Sequence, residues 1–279
     1  MAFSFRQWSQ GVLPLFEARL LARFADVHPD LLVEACRYPL QTGGKRVRPL
    51  LAFAAAEACG GSAQAALDVA IAVELLHTYS LVHDDLPCMD DDDERRGRPT
   101  VHKVYGEGVA VLVGDALLTE AFAVLAGAGR AGVLVKELAH AGGARGMIAG
   151  QALDIGMDGP VEDIDRLRVL HRAKTGALIR GAVRMGAISA GASDEQIRML
   201  TRYAEEVGLA FQVHDDVLDA DQDQAAEGGG PPSFVKLLGV EGAREAARVH
   251  MQAALDALVG VPKPEALAAL AVYTVERVS

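Results

Sequence analysis

The chain has few aromatic side chains, 5% of its 279 residues, although 51% of it is hydrophobic. Its core must therefore be built from Ala, Leu and Val. A mixture rich in Ala and poor in Ile, Thr and Tyr favours helices over strands. Net positive charge is also missing. At −11 overall the chain has no electrostatic footprint for a nucleic-acid backbone, and a small anionic substrate would need clustered cations or a metal. Cysteine is scarce: Cys36, Cys59 and Cys88 are too widely spaced for a disulfide framework or a metal pattern and read as small buried hydrophobes. No uninterrupted apolar run reaches the roughly 18 residues that span a bilayer; the best, Val109 to Leu118, is broken by Asp115. The first residues carry Arg6, Trp8 and Gln10 where a secretory signal would show a basic patch and an apolar stretch. These absences predict a cytoplasmic protein with no membrane span, folded as one all-α domain over residues 1–279.

What is present concentrates between Leu81 and His102. Asp84 and Asp85 close a strongly apolar segment, and Asp90, Asp91, Asp92, Asp93 and Glu94 follow, then Arg95, Arg96 and Arg98. Adjacent carboxylates at the end of a buried element repel one another and resist desolvation, so a bound cation is the natural way to keep them ionised. An all-oxygen ligand set favours Mg²⁺, Ca²⁺ or Mn²⁺ over zinc. Arginines beside such a site suit phosphate, which they grip with paired charged hydrogen bonds. The stretch reads as a metal-bridged phosphate site, with a solvated acidic loop as the alternative that the residues alone leave open.

Other chemistry-bearing residues are spread along helical patterns. Leu13, Phe16, Leu20 and Phe24 recur at helical spacing, Asp30 suits the cap of a following helix over about 31–38, and Thr42 to Pro49 form a glycine-led basic cluster with Lys45 and Arg48 about a turn apart. His77 lies two turns before Asp84 on nearly the same helical face. Apolar helices are predicted over 109–126, 133–154, 162–191 and 194–220, with two or three more over 234–279. The third of these carries Lys174-Thr175 among Ala and Leu, where a lysine either snorkels or meets an anion. In the fourth, Asp215 and Asp219 share a face with Gln212 one turn earlier. Two stacked carboxylates on an apolar helix again ask for a bridging cation. If the two acidic helix ends face each other across a cavity, divalent ions between them can hold a diphosphate whose coordination Arg95, Lys174 and Gln212 complete.

Taken together, the stretches GGKRVRP (43–49), ELLHTYSLVHDDLPCMDDDDERRGRPTVH (74–102), VGDALL (113–118), GQALD (150–154), HRAKTGAL (171–178) and FQVHDDVLD (211–219) resemble the trans-isoprenyl diphosphate synthases, most nearly the bacterial farnesyl diphosphate synthases. The resemblance implies the all-α isoprenoid synthase helical bundle around a central apolar cavity, a homodimer, and several Mg²⁺ ions for which Mn²⁺ can substitute. It implies condensation of isopentenyl diphosphate with a dimethylallyl or geranyl diphosphate to give farnesyl diphosphate. Metal would be held by Asp84, Asp85 and Asp90 and by Asp215, Asp216 and Asp219, leaving Asp91 to Glu94 as loop charges that position Arg95 and Arg96. Lys45, Arg48, His77 and Arg96 match the positions that hold isopentenyl diphosphate; Arg95, Lys174, Thr175 and Gln212 match those on the allylic diphosphate. Asp84, Asp85, Lys174 and Asp215 are thereby the residues expected at the reacting diphosphate. Tyr79 and Ser80, below Asp84 on the same helix, match the positions that limit product length, and a tyrosine there resembles the short-chain enzymes.

In one place the chain departs from the family. After the second acidic motif a lysine followed by a K-x-T-like segment is expected, and this chain reads Gly228 to Phe234 with Pro231 at the lysine and Ser233 in place of the threonine. A lost charged contact to diphosphate is worth about 1.5–3 kcal/mol. The alternatives are a geranyl or geranylgeranyl diphosphate synthase, or a catalytically weak partner subunit of such an enzyme.

Overall fold

The computed structural model describes residues 3–222 and 232–276, apart from the side chains of 221 and 222. Ser4 caps α1 (Phe5–Ala22), its hydroxyl accepting from Gln7 N at 3.4 Å, and Phe16 and Leu20 are buried as their spacing requires. α2 (Asp30–Gln41) begins at Asp30 itself, with the carboxylate in the first turn where the helix dipole favours it, and runs beyond Tyr38 through Pro39. α3 (Val47–Ala58) and α4 (Leu67–Asp84) follow. Twelve α4 side chains, from Leu67 to Val82, are buried, so this is the central helix, packed against α1, α2, α3 and the later helices Glu107–Ala126, Ala131–Gly142 and Ala177–Ser189.

A two-stranded ribbon that the composition did not predict follows, β1 (Glu94–Arg95) paired antiparallel with β2 (Arg98–Pro99). Its turn residues, Arg96 and Gly97, both have positive φ (55° and 71°), the backbone that a two-residue hairpin requires. α5 (Val101–Tyr105) and α6 (Glu107–Ala126) come next. The helix expected over 133–154 is two helices, α7 (Ala131–Gly142) and α8 (Met147–Asp154). The break falls at its glycines: a side chain on Gly146 would lie 2.1 Å from Ala141 O, so the chain turns there only because the position is bare.

The segment expected as one helix over 162–191 is α9 (Ile164–His171), a single π turn (Arg172–Gly176) and α10 (Ala177–Ser189). Asp163 caps α9 through Asp165 N and Arg166 N. α11 (Asp194–Gln222) starts with a reciprocal cap in which Gln196 N donates to Ser193 Oγ and Ser193 N donates to Gln196 Oε1. α12 (Phe234–Ala257) and α13 (Glu265–Glu276) complete the described residues. Pro231 and the glycines before it lie outside them. The architecture is the expected all-α bundle, with α3, α10, α11 and α13 gathered around a second apolar core and α3 and α10 joining it to α4.

Among the described residues, two helices could cross a membrane by length and composition, 63–84 and 107–126. The expectation that no stretch is long enough held only for runs free of charge. They differ in surroundings: 72% of the first window is buried by neighbouring helices, against 39% of the second. α6 therefore leaves Val111 and Leu112 exposed, by 41% and 60%.

Candidate active site

Three bare backbone positions bring the site together. Gly150 on α8 lies so close to the π turn that a Cβ there would sit 2.0 Å from Lys174 N. On the other side a Cβ at Gly208 of α11 would lie 3.1 Å from Gly176 Cα. The wide turn thus fits between two helices, and it presents Lys174 and Thr175 from one ring of backbone, a common use of π turns. Thr175 Oγ1 donates to Gln212 Oε1 at 2.9 Å, and Lys174 Nζ is paired with Asp154 Oδ2.

The glycine-led basic cluster divides its cations by burial. Arg46, in left-handed backbone (φ 49°), is 6% exposed and bonded to Glu17, Glu74 and Leu40 O. It ties α1 and α4 to the start of α3, with four of its five N–H donors already engaged. Arg48, the second residue of α3, faces a cavity of about 470 Å³ between α3, α4, α8 and the π turn. Lys45 is exposed at the start of the same segment. The cavity wall contains Arg48, His77, Tyr79, Ser80, Asp84, Lys174 and Thr175, all named from the sequence, together with the apolar Met147, Ile148 and Ile155. A larger cleft of about 800 Å³ between α7 and α10, lined by Lys136, His140 and Arg184, contains none of the candidate residues.

The polar end of this cavity is ready for an anion. Arg48 Nε and Gln151 Nε2 are buried donors with no hydrogen-bond partner among the described residues, a costly condition that an incoming phosphate oxygen would relieve. Burial, with Arg96 opposing and Glu74 and Asp215 assisting the charge, lowers the Arg48 guanidinium to about 10; it stays charged at neutral pH. His77 is held well below the usual histidine range by burial and then by Arg48, Arg96 and Arg95, so it offers a neutral hydrogen bond. Gln151 was not singled out from the sequence. The available signal was its place in α8 one turn from both Met147 and Ile155, which puts all three on one face.

The acidic side divides too. Asp84 lines the cavity, and burial, aided by Asp90 and Asp85, raises its carboxyl to about 6 against the pull of Lys174. Asp85, buried, is raised by desolvation, which Arg95 counters with a 2.5 Å hydrogen bond; Arg95 also bonds Asp92 at 2.9 Å. The loop folds back so that Asp90 N donates to Asp84 O at 2.8 Å, with the Asp90 side chain exposed. Arg96 donates to Gly43 O and lies over Gly44, where a Cβ would meet its Nη1 at 2.5 Å. The basic cluster and the hairpin thereby form one surface. On α11, Asp215 is half-buried and Asp219 exposed, while Asp216 is buried with both oxygens engaged, by Gln212 Nε2 at 3.2 Å and Phe234 N at 2.7 Å. Burial raises Asp216 to about 6 against those two bonds. Its geometry is that of a strut between α11 and α12.

Carboxylates raised by burial and mutual repulsion, all offering oxygen, are a donor set that a hard divalent cation fits and a soft metal does not. Among the described residues, the three potential ligand atoms drawn within 4.8 Å of one another belong instead to Asp91, Asp93 and His102. Of these, Asp93 is already paired with Lys103 at 2.6 Å.

The comparisons with known proteins bear on the whole of this arrangement. The family profile described as "Polyprenyl synthetase" matches residues 29–230. The chain is 44% identical over 266 residues to the farnesyl diphosphate synthase of Escherichia coli, across 88% of this chain and 89% of that one. It is 44% identical over 270 residues to the heterodimeric geranylgeranyl pyrophosphate synthase large subunit 1 (chloroplastic) of Arabidopsis thaliana, across 89% of this chain and 73% of that one. The crystal structure of an FPP/GFPP synthase from Zymomonas mobilis superposes with a TM-score of 0.86 at 38% identity, covering 97% of this chain and 98% of the other.

Proposed function

The chain belongs to the polyprenyl synthetase family, and we propose that within it the protein is a short-chain prenyltransferase that joins isopentenyl diphosphate to dimethylallyl and geranyl diphosphate, releasing farnesyl diphosphate and inorganic diphosphate. The observation that carries this reading is the single cavity with unsatisfied cationic and amide donors at one end and Tyr79 in its wall. Its apolar side, Met147, Ile148, Ile155 and the Tyr79 ring, suits a hydrocarbon tail and excludes water from a reactive cation.

Arg48 and His77, with Lys45 and Arg96 beside them, hold the diphosphate of isopentenyl diphosphate. Lys174, Thr175, Gln212 and Arg95 hold that of the allylic substrate. Mg²⁺ ions, the cations implied for the site, would be held by Asp84, Asp90 and Asp215 with Asp85, Asp216 and Asp219 assisting, and when bound would supply positive charge to the diphosphate. The allylic C–O bond breaks and its electron pair leaves with the diphosphate, whose developing charge Lys174 and Arg95 stabilise. The isopentenyl double bond attacks the allylic cation, forming the new C–C bond. A proton is then lost from the adjacent carbon to the departed diphosphate, so no protein nucleophile is required.

Tyr79 is 6% exposed one turn and a residue before Asp84, and we take it as the floor that stops growth at farnesyl. The named relatives include both farnesyl and geranylgeranyl enzymes, which makes the product the decisive readout. Purified protein incubated with isopentenyl diphosphate, dimethylallyl diphosphate and Mg²⁺ should give farnesyl diphosphate, sized by chromatography after dephosphorylation. Geranylgeranyl as the main product would overturn the floor assignment, and no turnover would overturn the prenyltransferase reading. The exposed Val111 and Leu112 of α6 support a homodimer formed through that face, since apolar side chains standing together on a half-buried helix favour a partner.

A further inference from the structure

One residue beyond the catalytic set packs against Tyr79, taken above as the floor of the cavity. His83, which also borders the cavity, stands four residues after Tyr79 on α4, so the two rings share a helix face. They meet edge to face, centroids 5.8 Å apart and planes at 84°. His83 Nε2 lies 3.1 Å from Val111 O on α6. A carbonyl only accepts, so Nε2 carries the proton in that bond. The imidazole fills the space of an absent side chain on the neighbouring helix: a Cβ on buried Gly114 would lie 2.0 Å from Nε2, 2.3 Å from Cδ2 and 2.7 Å from Cε1. The contact thus runs from the bare backbone of α6, through one ring, to the ring that ends the cavity.

We propose that His83 is a positioning residue for product length: seated on Gly114 and tied to Val111, it holds Tyr79 across the end of the cavity. This rests on the reading of the protein as a prenyl-chain-elongating enzyme with Tyr79 as its floor. A tyrosine anchored at one end alone can change rotamer to admit a longer chain; a second ring packed against its edge removes that freedom. The stopping point is then set by two helices. Gly114 belongs to the specificity of the site although it touches no substrate.

The test measures the ratio of geranylgeranyl to farnesyl product for the wild-type protein, Tyr79→Ala, His83→Ala, Gly114→Ala and the His83→Ala/Gly114→Ala double variant. A product ratio is independent of how much enzyme is active, so it separates positioning from partial unfolding. His83→Ala should raise the ratio about two- to tenfold, the factor to which an edge-to-face ring pair corresponds. Gly114→Ala, which dislodges the ring without deleting it, should move the ratio in the same direction. The double variant should go no further than His83→Ala, because no ring is left to displace. Wild-type ratios in His83→Ala while Tyr79→Ala lengthens the product would overturn the proposal, as would additive effects in the double variant. Unchanged product in Tyr79→Ala would instead overturn the floor assignment beneath it, and an inactive wild-type protein would overturn the prenyltransferase reading.

Discussion

Replacing Gly150 by alanine should disable the site while leaving most of the fold standing. The added Cβ would lie 2.0 Å from Lys174 N, 2.4 Å from Lys174 Cα and 2.7 Å from the Ala173 carbonyl carbon. Non-bonded heavy atoms rest at about 3.5–4 Å, so the π turn must retreat by roughly 1.5 Å, and backbone atoms cannot rotate aside as a flexible side chain can. Overpacking of this kind costs about 1–3 kcal/mol of stability. The same displacement carries Lys174 and Thr175 with it, and a misplacement of about 1 Å is worth on the order of 10²-fold in rate. The measurements are kcat/KM for geranyl and isopentenyl diphosphates together with the thermal midpoint. Gly61→Ala provides the control. Its Cβ would lie 2.6 Å from Ala190 Cβ, just past the far end of α3 from Arg48, about 15 Å away along the helix axis. It should lower the midpoint and leave kcat/KM near wild type. A Gly150→Ala enzyme whose activity falls only as far as that of Gly61→Ala would refute the argument that this glycine places the π turn.

Metal binding should depend on pH in the way a raised carboxyl requires. With Asp84 at about 6, a proton competes with the ion below that value: Mn²⁺ affinity, followed by the EPR signal of the free ion, should fall about tenfold from pH 8 to pH 5, where an ordinary aspartate would produce almost no change. The apo thermal midpoint is a poor readout. Asp84 and Asp216, raised by burial, take up protons in the folded state and so favour it on acidification through about 6, whereas His171, lowered by burial to about 4, withdraws stability as pH falls below its unfolded value. Asp84→Ala should abolish the pH-dependent binding and turnover, and Asp93→Ala should do much less; equal losses would show that the acidic run does not divide as described. Arg46→Ala should destabilise by about 3–5 kcal/mol, because it leaves the Glu74 carboxylate buried without its partner. Urea unfolding measures this, and a loss under about 1 kcal/mol would place the pair in the class of surface ion pairs.

Much of this protein can be read from its residues. The composition requires helices, the apolar spacing of residues 13–24 marks the buried face of α1, and the two acidic motifs with the lysine between them announce a diphosphate site. Those signals are local: a helical period, a cap or a pair of repelling carboxylates states its physics within a few residues. The sequence alone could not divide residues 133–154 into two helices, since Gly146 acts through the Ala141 carbonyl that it lets approach. It could not tell Arg46 from Arg48. Both are arginines in one short segment, and only the positions of Glu17 and Glu74, brought in by α1 and α4, make the first a strut and leave the second facing the cavity. The unsatisfied Nε2 of Gln151 and the seat of His83 on Gly114 are likewise invisible along the chain, because an unsatisfied donor or a filled gap exists only once another helix bounds it. The kinds of group at the site were thus determined by the sequence. Which of them face the substrate was decided by tertiary packing, because burial and close approach belong to pairs of elements that the chain order does not put together.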